Sequence, residues 1–178
     1  MLSQFQSLRV IVQPFVQICL LRQGPQDLPT SGILLAITLS AYTLLTALLS
    51  NVSMSAANAV VWGLISTVLM VAFTVILLSV QRRPARLVQT LAALAGTGAL
   101  LTLIALPVFG WLHGADLKAG EGALAWLIVV VLTLWSLAVT GHILRHALSV
   151  PYFVGLVLAV VFYLISVSVF RTLFPAAA

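Results

Sequence analysis

Apolar positions along this chain fall into five long runs, and polar residues gather in the short connectors between them. The runs cover approximately residues 32–50, 57–80, 87–111, 122–144 and 153–174, and none contains an Asp, Glu or Lys. At 1.5 Å of rise per residue, about 20 residues cross the roughly 30 Å hydrocarbon layer, so each run is long enough to span. Strands of a membrane barrel are about ten residues long and alternate in polarity, which these runs do not. Helices are then the remaining way to satisfy the backbone in lipid. The expected fold class is all-α, a polytopic bundle of five transmembrane helices over residues 24–178 preceded by an N-terminal amphipathic interfacial helix over residues 1–23.

The first 23 residues carry a different pattern. Gln6, Arg9, Gln13 and Gln17 recur three or four apart, with Phe5, Leu8, Val12, Phe15, Val16 and Cys19 between them, which is a helical stripe. With Arg9 and Arg22 placed to meet headgroups, the pattern predicts a helix lying along the membrane surface and bent at Pro14. The alternative is a helix packed across the mouth of the bundle. Two glutamines and Pro14 interrupt the apolar stretch and no small-x-small site follows, so a cleaved signal is not expected. Gly24 to Pro29 then stops the helix. Thr30 or Ser31 can cap the first span, Ser149 can cap the fifth with Pro151 in its first turn, and Pro107 should kink the third near its far end.

Composition sharpens this picture. Hydrophobic residues make up 62% of the chain and charged residues 6%, against roughly a quarter charged in a soluble domain. The run from Ala57 to Val80 holds thirteen Leu, Ile, Val or Phe residues, enough for roughly 4 to 8 kcal/mol of insertion free energy. Eight Lys and Arg against three Asp and Glu would suggest nucleic acid in a soluble protein; here the excess reads as topology. Arg9, Arg22, Arg82, Arg83, Arg86 and Arg145 fall on one side of the bundle, and Lys118 and Arg171 on the other. The positive-inside rule puts the N-terminus and the arginine turn in the cytoplasm and the C-terminus in the periplasm of a bacterial inner membrane.

Few side chains suggest chemistry. His142 and His146 share a helix face at the end of span four, but two imidazoles make half a metal site, and His113 lies at the opposite surface. Basic residues at a helix C-terminus are favoured by the helix dipole alone. Arg82, Arg83, Arg86, His142, Arg145 and His146 form a possible contact for anionic phospholipid headgroups or an acidic partner. Ala92 with Gly96, and Ala95 with Ala99, have the four-residue spacing of a close helix-packing face. Thr90 and Thr97 on span three, with Thr133, Ser136 and Thr140 on span four, are expected to hydrogen-bond between helices, or else to line a narrow polar path. Asn58 can meet water or cap span two. The span interiors hold no Asp, Glu or Lys, as proton- or sodium-coupled transport would usually require. No Ser, His and carboxylate set can meet on one side, so neither catalytic nor cofactor or metal residues are expected. His113, Asp116 and Glu121 share the most polar connector and read as solvated. Cys19 is the single cysteine, so no intrachain disulfide can form.

The spacing of the five spans, with Leu91-Ala92-Ala93-Leu94-Ala95-Gly96-Thr97-Gly98 in the third and Gly141-His142-Ile143-Leu144-Arg145 leaving the fourth, resembles the Yip1-domain membrane proteins of the small bacterial type. The resemblance covers approximately residues 26–174 and implies an interaction or membrane-organising role; the small-GTPase recruitment of eukaryotic relatives does not transfer to so short an N-terminal region. The function expected first is therefore a non-enzymatic subunit that binds a membrane-protein partner or a second copy of itself. The alternative is a small transporter or channel component for a lipid or apolar compound.

Overall fold

The computed structural model describes residues 12–115 and 122–175. Five long helices dominate, α1 (Gly32–Ser50), α2 (Ala56–Val80), α3 (Leu87–Gly114), α4 (Ala123–Leu148) and α5 (Tyr152–Leu173), and no strand occurs among the described residues. All five are long and apolar enough to cross a membrane. Their outer faces agree with that environment: Ile33, Ile37, Leu44 and Leu48 on α1, and Leu124, Leu127, Val131 and Leu134 on α4, are all exposed. In water such a surface would drive aggregation; in lipid it costs nothing.

The helix ends follow local chemistry. Ser31 caps α1 by accepting from the Leu34 N–H at 3.3 Å, and Ser55 caps α2 by accepting from the Asn58 N–H at 3.4 Å. Asn58 is therefore a first-turn residue of α2 and not its cap. α2 ends with Arg82 in the left-handed region (φ 54°), the Arg82 N–H reaching Ser79 O at 3.0 Å and the Arg83 N–H reaching Leu78 O at 2.8 Å. Ser149 (φ 53°) closes α4 in the same way through Val150 N–H to Arg145 O at 3.0 Å. Ser149 thus terminates α4, whereas the sequence suggested a cap for α5; the residue preceding α5 is Pro151, with no side-chain cap. α3 runs unbroken through Pro107 to Gly114.

Packing is organised around α3, half of whose most apolar window is buried, against 6 to 22% for the other spans. α3 packs closely on α1 and α4, and α1–α2 and α4–α5 are close pairs, whereas α2 touches α3, α4 and α5 only sparsely. Glycines set the close approaches. A Cβ at Gly63 on α2 would lie 2.7 Å from Thr43 O of α1, and one at Gly141 on α4 would lie 2.9 Å from Leu156 Cα of α5. Gly155 on α5 lies in turn against Gly141 O. Hydroxyls cross between α1 and α2 as well, Thr43 Oγ1 and Thr67 Oγ1 being 2.7 Å apart.

Residues 1–11 of the expected N-terminal helix lie outside the described residues, and residues 12–19 are helical. Phe15 and Ile18 are buried, in one cluster with Leu28, Met70, Ala92, Ala93, Leu94, Ala95, Val139 and Ile143. The Phe15 ring occupies the space beside Gly96, nine residues into α3 and so about 14 Å along its axis. These two side chains therefore meet protein well inside the bundle. Burial of each contributes about 1.5 to 3 kcal/mol relative to water.

Candidate functional site

The N-terminal segment and the alanines of α3 pack on one side of the bundle, and Met70, Leu94 and Val139 of that cluster also border open space. There the structure holds a cavity of about 330 Å³ lined by all five helices. It reaches from Leu94 and from Leu144, in the last turns of α4, to Leu49 and Phe109 near the end remote from the arginine turn. Its origin lies in the spacing of α2. Gly63 draws α2 onto α1, but ring pairs hold it from α5: Phe73 and Phe162 have centroids 5.0 Å apart, and Trp62 and Phe170 also 5.0 Å apart. Rings of that bulk keep two helices apart where glycines would let them close.

The wall is mostly hydrocarbon, from residues such as Met70, Phe73, Leu101, Leu132 and Phe162, with hydroxyls set into it. Thr97, Thr133, Ser136 and Thr140 all line the cavity; Thr90 does not, lying nearer the arginine turn. The bonds expected between helices at these positions are not formed. Thr90 donates to Arg86 O at 2.7 Å, Thr97 to Ala93 O at 2.7 Å, Thr133 to Val129 O at 2.8 Å and Ser136 to Thr133 O at 2.8 Å, all local. The physical reason is that a carbonyl three or four residues back is already within reach, so bonding it orders no second helix. Tyr42 and Tyr163, and the contribution of α5 through Phe162 and Ser166, were not singled out in the sequence; the signal was polar residues recurring on successive spans at similar depth.

At the arginine-turn end the predicted basic residues are brought together, but mostly to hold the fold. Arg86 Nη1 donates to His146 O and Ala147 O, both at 3.0 Å, and to Ser149 Oγ at 2.9 Å, so it caps the orphan carbonyls that end α4. Arg83 also donates to Ser149 Oγ. His142 is buried, its Nε2 3.0 Å from Gln23 O, and Gln89 Nε2 donates to Leu28 O at 2.6 Å. Together these two side chains pin the connector that follows the N-terminal segment.

The two histidine rings meet edge to face, centroids 4.6 Å apart, and Arg145 Nε lies 3.2 Å from His146 Nε2 while its guanidinium sits over Tyr152. Arg82 and Arg22 are exposed. A space of about 270 Å³ is left between Pro25, Gln26, Arg86, Gln89, Thr90 and His146. Among the described residues no three His, Cys, Asp or Glu side chains come together. His113 is exposed in the last turn of α3, at the end of the bundle remote from His142; Asp116, Lys118 and Glu121 lie outside the described residues.

The small-residue stripe is wholly internal. Ala92, Ala95, Gly96 and Ala99 are buried within the chain itself, Gly96 against Phe15. No family model matches the chain, and no curated protein or solved structure is significantly similar to it.

Proposed function

We propose that this chain is a non-enzymatic, multi-pass protein of the bacterial cytoplasmic membrane that takes a lipid or other apolar, membrane-dissolved molecule into its central cavity and carries it. The supporting observation is the cavity: about 330 Å³, within the range of ligand sites, walled mostly by apolar and aromatic side chains with hydroxyls set among them. In the orientation given by the arginine count, the end of the cavity at Leu49 and Phe109 faces the periplasm. A ligand would then load from the outer half of the bilayer.

The second reading, an interaction or membrane-organising subunit of Yip1 type, draws support from the exposed Arg22 and Arg82 at the proposed cytoplasmic face, where they can meet anionic headgroups or an acidic partner. It draws none from the small-residue stripe, which is covered by the chain's own N-terminal segment.

The test is to purify the protein in native membrane discs and identify bound apolar molecules against bulk lipid. Ser136→Phe fills the cavity, and Leu134→Phe alters only a lipid-facing position, 61% exposed. A bound species lost in the first variant and kept in the second supports the carrier. Bulk lipid alone in the parent protein would end this reading.

A further inference from the structure

The chemistry of the cavity wall narrows the class of ligand, given the carrier reading above. Among the described residues, no Asp, Glu, Lys, Arg or His lines it. An ionised group inside would lose its hydration and find no counter-charge, which is strongly unfavourable in such surroundings. The molecule received there is therefore uncharged.

The hydroxyls then set a direction. Thr74, Thr97, Thr133, Ser136 and Ser166 each line the cavity, and each spends its single O–H on a carbonyl of its own helix, at 2.8, 2.7, 2.8, 2.8 and 3.0 Å. A hydroxyl that has donated keeps acceptor capacity and has no donor left. The helical backbone N–H groups are used within the helices as well. Most of the polar atoms of this wall thus accept. Thr102, Thr140 and the two phenols of Tyr42 and Tyr163 complete the hydroxyl lining. A ligand O–H can donate to the committed hydroxyls and accept from the others, whereas an ether or ester oxygen can only accept.

We propose that the cavity selects an uncharged long-chain alcohol, a lipid with an apolar body and one free hydroxyl, over ethers and over carboxylates of the same chain.

The test uses the full chain in lipid nanodiscs with a diazirine-bearing alkane as the photolabel, its sites mapped by mass spectrometry. Competitors are 1-tetradecanol, methyl tetradecyl ether and tetradecanoate at pH 8, compared at equal mole fraction in the disc. The expected result is labelling of cavity residues, displaced by the alcohol at about tenfold lower mole fraction than by the ether, the effect of one net hydrogen bond. Tetradecanoate should displace least. Equal displacement by the ether or the carboxylate overturns the alcohol preference while leaving the carrier reading in place. Failure of the alkane to label any cavity residue overturns the carrier reading itself. In the double variant Thr133→Val with Ser136→Ala, which keeps nearly the same shape, the preference for the alcohol should fall below about threefold with the ether unchanged. Full retention of the preference in that folded variant counts against the assignment.

Discussion

The ring of Phe15 fills the space that a side chain on Gly96 would need. Far apart in sequence, these two residues join the N-terminal segment to the central helix. Gly96→Ala forces the ring to move and should cost about 1 to 3 kcal/mol, as overpacking does. Phe15→Ala removes the obstacle, so the double variant should be markedly less destabilised than the sum of the singles. Denaturant unfolding in mild detergent, with proteolysis of residues 12–31 as a local readout, measures both.

Gly141 and Gly155 hold α4 against α5 at backbone contact. Gly155→Ala places a methyl against Gly141 O and should separate the pair, lowering the melting temperature by many degrees. A Cβ added at Gly110 would meet nothing within 4 Å, so Gly110→Ala should be neutral or gain up to about 1 kcal/mol from helix propensity. Equal effects of the two substitutions would contradict the packing described.

Arg86 satisfies the carbonyls of His146 and Ala147. Arg86→Gln should cost about 1 kcal/mol, since the group is exposed to solvent, and should speed amide exchange at Ser149 and Val150. Arg86→Lys keeps the charge without the planar fork and should fall between.

Burial raises the Cys19 thiol from 9.0 to about 11. At pH 8 its thiolate fraction is about a hundredfold below that of a thiol at 9.0; greater intrinsic nucleophilicity returns roughly tenfold, so alkylation should run about tenfold slower than in the unfolded chain. Because the folded form favours the neutral thiol, its contribution to stability is full below about pH 9 and is lost as pH rises from there towards about 11. Iodoacetamide kinetics in native and denatured protein test the first point, and unfolding at about pH 8 and about pH 10, with Cys19→Ser as reference, tests the second.

Much of this architecture was legible in the residues. The five apolar runs became α1 to α5 with boundaries shifted by a few positions, the larger shifts being the extensions of α3 to Gly114 and α4 to Leu148. Hydropathy marks where hydrocarbon ends, while helices continue into the polar interface, as His113, Arg145 and His146 do. The stripe from Ala92 to Ala99 was legible as a packing face, but not that Phe15 and Ile18 would cover it, because nothing local ties an N-terminal residue to a helix so distant in sequence. The hydroxyls at Thr97, Thr133, Ser136 and Thr140 could be named in advance; that they would border a cavity, with Thr97, Thr133 and Ser136 bonded to their own helices, could not.

The sequence by itself determined the number, length and apolar character of the helices, since each follows from a contiguous run of residues meeting lipid. The cavity was decided only by the tertiary structure. It exists because glycines let α1 approach α2 and α4 approach α5, while the rings of Trp62, Phe73, Phe162 and Phe170 hold α2 away from α5. A void is the difference between those spacings, and spacing belongs to pairs of helices, not to any one of them.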